Sequence, residues 1–123
     1  MNYNPFNLKN KTILITGASS GIGKSIAIEC SKMGATIILV GRNEERLLNV
    51  YNSLEGSNNQ FFVLDINNFE HVKEMISKLP SVNGIVHSAG INQKMPLKFI
   101  NSEKLQEIFN VNVYSSLFLS QSL

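Results

Sequence analysis

The chain has 123 residues, of which 43% are hydrophobic and 16% are charged, and its formal net charge is +2. This length accommodates a single domain, and the composition is typical of a globular protein. The small net charge, for which Lys9 and Lys11 are the nearest approach to a cluster, argues against a nucleic acid or an anionic membrane as a partner.

The cysteine content and the distribution of apolar residues indicate the cellular compartment of the protein. Cys30 is the only cysteine, so an internal disulfide is excluded and a reducing environment is indicated. The first seven residues lack the apolar segment of a secretory signal, and no run approaches the length of a transmembrane helix. We therefore expect a cytoplasmic protein that does not bind a membrane.

Four short apolar runs are typical of parallel strands that are covered on both faces. They are Thr12–Thr16, Thr36–Val40, Phe61–Leu64 and Gly84–His87. A helical pattern follows each run, so strands alternate with helices. This alternation predicts right-handed βαβ units and an α/β fold, with a parallel sheet in the order 3-2-1-4 and helices on both faces.

The first helix is predicted to bury one stripe of side chains and to end at Gly34. That stripe comprises Ile22, Ile26, Cys30 and Met33. Two further helices are predicted between a capping residue and a helix breaker, and a last one starts at a polar pair. They extend from Asn43 to Gly56, from Asn67 or Asn68 to Pro80, and from Ser102 and Glu103 through Asn112. An irregular loop containing Pro96 is expected before the last helix.

The segment that joins the first strand to the first helix reads TGASSGIG from Thr16 to Gly23. Glycines at these positions allow a sharp turn and a close approach of the backbone to a diphosphate, which the N–H groups at the start of the helix then face. An ordinary Gly/Ser loop is the alternative. The predicted cofactor contacts in this turn are Gly17, Ser19, Ser20, Gly21, Ile22 and Gly23.

The spacing Thr-Gly-x-x-x-Gly-x-Gly resembles the nucleotide-binding turn of the short-chain dehydrogenase/reductase family. The resemblance implies a Rossmann-type fold, a nicotinamide cofactor, a small carbonyl or alcohol substrate, and a homo-oligomer. Among family members, 3-oxoacyl-carrier-protein reductases and general ketone reductases are the commonest kind with this type of turn.

The end of the second predicted strand bears on the choice of cofactor. An acid at this point binds the ribose 2′-hydroxyl of NAD, whereas an arginine accommodates the 2′-phosphate of NADP. The sequence offers Arg42 and no acid, which favours NADP over NAD. A solvated arginine, or one drawn away by Glu44 and Glu45, is the alternative.

Asp65 and Ile66 follow the third strand, at the rim where open α/β sheets bind ligands. The resemblance implies that Asp65 accepts a hydrogen bond from the adenine amino group. A residue that caps the entry to the next helix is an equally good interpretation.

Residues 87–90, which read His-Ser-Ala-Gly, resemble the Asn-Asn-Ala-Gly tetrapeptide that lies along the cofactor in this family. His87, Ala89 and Gly90 are therefore candidate cofactor contacts, although a structural role is the favoured interpretation of the histidine. Metal binding is not expected, because the only other histidine is His71 and no cysteine or acid cluster accompanies it.

Asn112 corresponds to the helix asparagine of the family, which supports a water chain to the active-site lysine, and is the one catalytic residue that the resemblance assigns here. An exposed helix asparagine is the alternative. The family's Tyr-x-x-x-Lys pair is missing. The residues four positions after Tyr3, Tyr51 and Tyr114 are Asn7, Glu55 and Phe118.

We therefore expect residues 1–123 to be the N-terminal, cofactor-binding part of a single domain, with the catalytic serine and the Tyr-x-x-x-Lys segment following Leu123. The 123 residues alone are not expected to be active, because the cofactor supplies only a hydride and the reaction also needs a proton donor. A non-catalytic dinucleotide-binding or sensing protein, or a fragment that binds nothing, are the alternatives.

Overall fold

The predicted apolar runs form a parallel sheet. The computed structural model describes residues 3–90 and 97–123, and over these residues the strands are β1 (Thr12–Thr16), β2 (Thr36–Gly41), β3 (Gln60–Val63) and β4 (Gly84–His87). Their order in the sheet is β3-β2-β1-β4, so β1 is an inner strand. The predicted fold class and strand order are confirmed.

Helices connect the strands and cover the sheet. They are α1 (Gly21–Lys32), α2 (Glu44–Asn52), α3 (Phe69–Ser77), α4 (Ser102–Phe109) and α5 (Ser115–Ser122), with a 3₁₀ turn at Leu97–Phe99 and a π-helical turn at Asn110–Tyr114. Asparagine side chains cap three of them: Asn43 accepts from the amide of Arg46 at 3.0 Å, Asn68 from His71 at 3.2 Å and Asn101 from Lys104 at 2.9 Å.

Two apolar clusters lie on opposite faces of the sheet because neighbouring residues of a strand point to opposite sides. On one face, α1 and α2 pack over Ile37 and Leu39. On the other, α3 and α5 pack over Ile38 and Val40. The rings of Phe69 and Phe118, which stack with centroids 4.1 Å apart, join α3 to α5. Helices therefore cover both faces, as predicted.

The register of the strands determines where the sheet opens. Thr16, the last residue of β1, is paired with Val40 of β2 and with His87 of β4. The carboxyl ends of these three strands therefore lie level with one another. This edge is where open parallel sheets bind ligands.

The predicted stripe of α1 is wrong at its first member, because Ile22 is 75% exposed. The buried positions of the helix are Gly23, Ala27 and Ser31, one residue further along the chain. The helix lies so close to the sheet that small residues occupy the contact. Ile26 and Cys30 flank this row and are half-buried.

Three further boundaries differ from the prediction or lie outside the described residues. β3 begins and ends one residue early, although the amide of Leu64 still donates to Gly41 O at 3.0 Å. The last helix is interrupted by the π-helical turn where one continuous helix is predicted. The predicted loop residue Pro96 lies outside the described residues.

Within residues 3–90 and 97–123, none of the helices combines the length and the apolar character that crossing a bilayer requires.

Asn59 ties the start of β2 to the turn before β3. Its buried Oδ1 accepts from the amide of Ile37 at 2.8 Å, and its Nδ2 donates to Glu55 O at 2.8 Å. An alanine at this position leaves the buried Ile37 amide without an acceptor. We expect Asn59→Ala to lower the free energy of unfolding by about 1–3 kcal/mol, measured by urea denaturation.

The neighbouring Asn58 is exposed and provides the matched control. Asn58→Ala should change the free energy of unfolding by less than about 0.5 kcal/mol. Equal effects of the two substitutions would contradict the role given to Asn59.

Candidate functional site

A cleft of about 340 Å³ opens at the carboxyl ends of β1, β2 and β4. Ten of the residues predicted from the sequence line it: Gly17, Ser19, Ser20, Gly21, Ile22, Gly23, Arg42, Ile66, Ala89 and Gly90. Five residues that sequence reasoning did not select complete the lining: Val40, Gly41, Leu64, Ser88 and Val111. The side chains of Asp65, His87 and Asn112 are not part of this lining.

The turn between β1 and α1 has the backbone conformation that its glycines predict. Gly17 has φ +61° and Gly21 has φ +59°, in the left-handed region that favours glycine. The first turn of an α-helix leaves backbone N–H groups without an intrahelical acceptor. Ser20 precedes α1, and its side chain makes no capping hydrogen bond to the helix.

Both neighbouring strands contact this turn. From β2, the carbonyl oxygen of Val40 accepts from the amide of Ala18 at 3.3 Å. From the segment after β4, the amide of Ala89 donates to Oγ1 of Thr16 at 3.3 Å. A methyl group on Gly17 would lie 2.6 Å from the Ala89 nitrogen, so the absence of a side chain permits this approach.

Arg42 lines the cleft at the end of β2 and is exposed to solvent. Among the described residues, no ion pair joins it to Glu44 or Glu45. The guanidinium is therefore available to a ligand in the cleft.

Asp65 occupies the turn that leads from β3 towards α3. Its Oδ1 accepts from the amide of Asn67, and its carbonyl oxygen accepts from the amide of Asn68, both at 2.9 Å. Asp65 thus has the helix-entry role that one interpretation of the sequence assigns to it, while Asn68 is the N-cap. The neighbouring Ile66 is buried and lines the cleft.

His87 lies at the end of β4, and its ring contacts α5. Nε2 is 2.9 Å from Oγ of Ser120, a hydrogen bond that joins the sheet to the helix. Partial burial disfavours the charged imidazolium and lowers the pKa of His87 below its ordinary value. This contact fits the structural role that the sequence favours for the histidine.

Asn112 lies inside the π-helical turn, beside the segment that follows β4. A side-chain carbon on Gly90 would lie 3.2 Å from Oδ1 of Asn112, so the two residues are neighbours. The preceding residue, Val111, is buried and lines the cleft. The asparagine is thus placed next to the site, and its hypothesised catalytic role stays a prediction.

The residues that sequence reasoning missed have one signal in common, which is their position beside a predicted residue. Val40 and Gly41 immediately precede Arg42, and Leu64 precedes the pair at positions 65 and 66. Strand ends meet at one edge of a parallel sheet, so whole segments line the cleft. Val111 likewise precedes the predicted Asn112, but regular helical spacing does not predict the π-helical turn in which both residues lie.

Within the described part of the chain, no group of three histidine, cysteine, aspartate or glutamate residues is placed to hold a metal ion.

Comparison with known proteins gives a consistent result. The sequence model of the short chain dehydrogenase family matches residues 11–123. The chain is 36% identical to the oxidoreductase YciK of Escherichia coli K12 over 100% of this chain and 54% of the relative. It is 33% identical to the 3-oxoacyl-[acyl-carrier-protein] reductase FabG of Rickettsia prowazekii, over 93% of this chain and 47% of the relative.

Solved structures are similar as well. A short chain dehydrogenase from Escherichia coli CFT073, complexed with NADPH, superimposes with a TM-score of 0.85 at 32% identity. The match covers 98% of this chain and 55% of that chain. This chain spans about half the length of the curated relatives that it matches.

Two glycines of the turn provide a matched pair of substitutions. Gly21→Ala places a side chain in open space, so only the left-handed φ costs stability, by about 1–2 kcal/mol. Gly17→Ala has the same left-handed backbone strain and also brings the new methyl group into collision with the Ala89 backbone. We therefore expect it to lower the free energy of unfolding by about 1–3 kcal/mol more than Gly21→Ala does. Urea denaturation of both variants measures the difference, and equal losses would contradict the described contact with Ala89.

The lowered pKa of His87 predicts a pH dependence of stability. At a pH below 6.5, the ordinary pKa of histidine, the unfolded chain binds a proton at His87 more readily than the folded chain does. The free energy of unfolding should therefore fall as the pH drops from 6.5 through the lower folded-state pKa. His87→Gln should remove this part of the pH dependence, whereas the control His71→Gln should retain it. An identical pH dependence of the unfolding free energy in wild type and His87→Gln would contradict the prediction.

Proposed function

Because the chain belongs to the short-chain dehydrogenase/reductase family, we propose that it binds NADP(H) for hydride transfer between the nicotinamide and a small carbonyl or alcohol substrate. The observation that carries the proposal is the cleft, in which the glycine turn, Arg42 and residues 88–90 meet. The bound nicotinamide supplies or accepts the hydride. The residues of this chain bind and orient it.

The turn before α1 fits the diphosphate. Its left-handed glycines expose the backbone, and the free N–H groups and the dipole of the helix favour an anion at this end. The first turn of α1 contains no acidic residue that would repel a phosphate. The Ser20 hydroxyl, which does not cap the helix, is available as a further donor.

Arg42 is proposed to bind the 2′-phosphate that distinguishes NADP from NAD. A carboxylate in this neighbourhood would select the free 2′-hydroxyl, but the end of β2 is occupied by Gly41 and Arg42. Gly41 is also closely surrounded, since a side-chain carbon there would lie 3.2 Å from Leu47 and 3.6 Å from Ser19. Among the described residues that line the cleft, Arg42 is the one with a charged side chain.

The adenine is proposed to lie against the apolar side chains of Leu64 and Ile66, which line the cleft beyond Arg42. Asp65 precedes Ile66 and is a candidate acceptor for the adenine amino group. One of its oxygens already accepts from the amide of Asn67. A carboxylate has about four lone-pair sites, so capacity remains for a second donor.

We further propose that residues 1–123 form the cofactor-binding part of the domain and that the Ser and Tyr-x-x-x-Lys groups belong to the complete protein. Asn112, placed next to Gly90, is proposed to act with them through its amide. A 3-oxoacyl-carrier-protein thioester is one candidate substrate, supported by the similarity to the Rickettsia reductase. A cytoplasmic location is supported by Cys30, which is a half-buried free cysteine, because free thiols persist in a reducing compartment.

A homo-oligomer is part of the same proposal. Large apolar side chains on α4, the π-helical turn and α5 are partly or largely exposed. They include Leu105, Phe109, Tyr114 and Leu117, of which Leu117 is 64% exposed. Exposed apolar side chains that lie along one helical segment support contact with a second copy.

The proposal is tested by cofactor affinity. Arg42→Ala should raise the dissociation constant for NADPH by roughly tenfold to a hundredfold, because a charge-assisted hydrogen bond to the 2′-phosphate is lost. The dissociation constant for NADH should change little. Nicotinamide fluorescence during titration measures both constants.

Arg46 provides the control, because it is an exposed arginine of α2 that does not line the cleft. Arg46→Ala should leave both dissociation constants within about twofold of wild type. Equal affinities of the wild type for NADPH and NADH would contradict the role proposed for Arg42. If the wild type bound neither cofactor, the proposed function itself would be contradicted.

A further inference from the structure

Ser88 contacts the glycine turn, although the sequence did not mark it as a candidate site residue. Its hydroxyl donates to the carbonyl oxygen of Thr16 and lies 3.5 Å from the carbonyl oxygen of Gly17. The side chain is half-buried, and the residue also lines the cleft. Ser88 therefore links the end of β4 to the first two carbonyl groups of the turn.

The hydrogen bond to Thr16 O fixes the orientation of a whole peptide group, because the peptide bond is planar. The carbonyl of Thr16 shares its plane with the amide of Gly17, and the carbonyl of Gly17 shares its plane with the amide of Ala18. That second amide donates to Val40 O at 3.3 Å. Ser88 thus holds the peptide between Thr16 and Gly17, and β2 holds the next one, between Gly17 and Ala18.

Gly23 makes room for this arrangement. A side-chain carbon on Gly23 would collide with the Ser88 hydroxyl and with the carbonyl oxygen of Gly17. The third glycine of the turn is therefore required by the contacts of Ser88 as well as by the approach of a ligand. The Ser88 hydroxyl occupies the space into which a side chain at position 23 would project.

We infer that Ser88 is a positioning residue for the diphosphate, which orients the start of the turn so that the amides before and within α1 face the anion. This inference rests on the proposed function, because it assumes that NADP(H) binds in the cleft. The physical basis is preorganisation: a turn that already has its bound conformation loses less entropy when the ligand binds. The hydroxyl acts through the backbone and need not touch the cofactor.

The test compares NADPH with a fragment of it that lacks both the diphosphate and the nicotinamide riboside. Calorimetric titration of the full chain with NADPH and with adenosine 2′-monophosphate gives a dissociation constant for each. We expect Ser88→Ala to weaken NADPH binding by about twofold to tenfold, the range of one hydrogen bond. Binding of adenosine 2′-monophosphate, which has no diphosphate, should be unchanged.

Ser77 provides a matched control, because its hydroxyl also donates to a carbonyl oxygen, that of Glu74, but on the exposed surface of α3. Ser77→Ala should leave both dissociation constants as in wild type. Unchanged NADPH affinity in Ser88→Ala overturns the inference, and so does an equal loss for both ligands, which indicates general loosening of the site.

The inference and the proposed function fail in different ways. If the wild type binds NADPH and Ser88→Ala binds it equally well, only the role of Ser88 is lost. If the wild type binds no NADPH, the proposed function fails and the inference fails with it.

Discussion

The alignment of three strand ends is the constraint on which the site depends. Because Thr16 is paired with Val40 on one side and with His87 on the other, the segments that leave β1, β2 and β4 emerge side by side. Hydrogen bonds then join them: the amide of Ala18 donates to the carbonyl oxygen of Val40, and the amide of Ala89 donates to the side-chain oxygen of Thr16. The cleft is therefore a property of the sheet register, and the glycines permit the approach that the register requires.

Much of this architecture is readable from the sequence, because it depends on local patterns. Buried apolar runs identify the strands, their alternation with helices indicates a parallel sheet with right-handed connections, and 3-2-1-4 is the usual order of a dinucleotide-binding sheet. The capping asparagines Asn43 and Asn68 also fall where the sequence predicts a helix start. These features need only the residue types and their spacing.

Other features depend on distances between segments that spacing does not encode. The burial of Gly23, Ala27 and Ser31 in place of a stripe containing Ile22 follows from how closely α1 approaches the sheet. Similarly, the contact between His87 and Ser120 joins residues 33 positions apart. The resemblance indicates the positions of Asp65 and His87 at strand ends, but it does not indicate which neighbour their side chains bind.

The π-helical turn at Asn110–Tyr114 has a consequence for insertions and deletions in this segment. A π-helix has a wider ring than an α-helix, so the turn behaves as one residue added to a regular helix. Removing one residue inside the turn would restore α-helical winding with little rotation of α5, whereas removing a residue between Ser115 and Leu117, where the winding is regular, would rotate everything downstream by about 100°. In the second case Leu119 and Phe118 would turn away from the sheet and from α3. The π-helical turn can therefore lose one residue without changing the packing of α5, whereas the regular winding of α5 cannot.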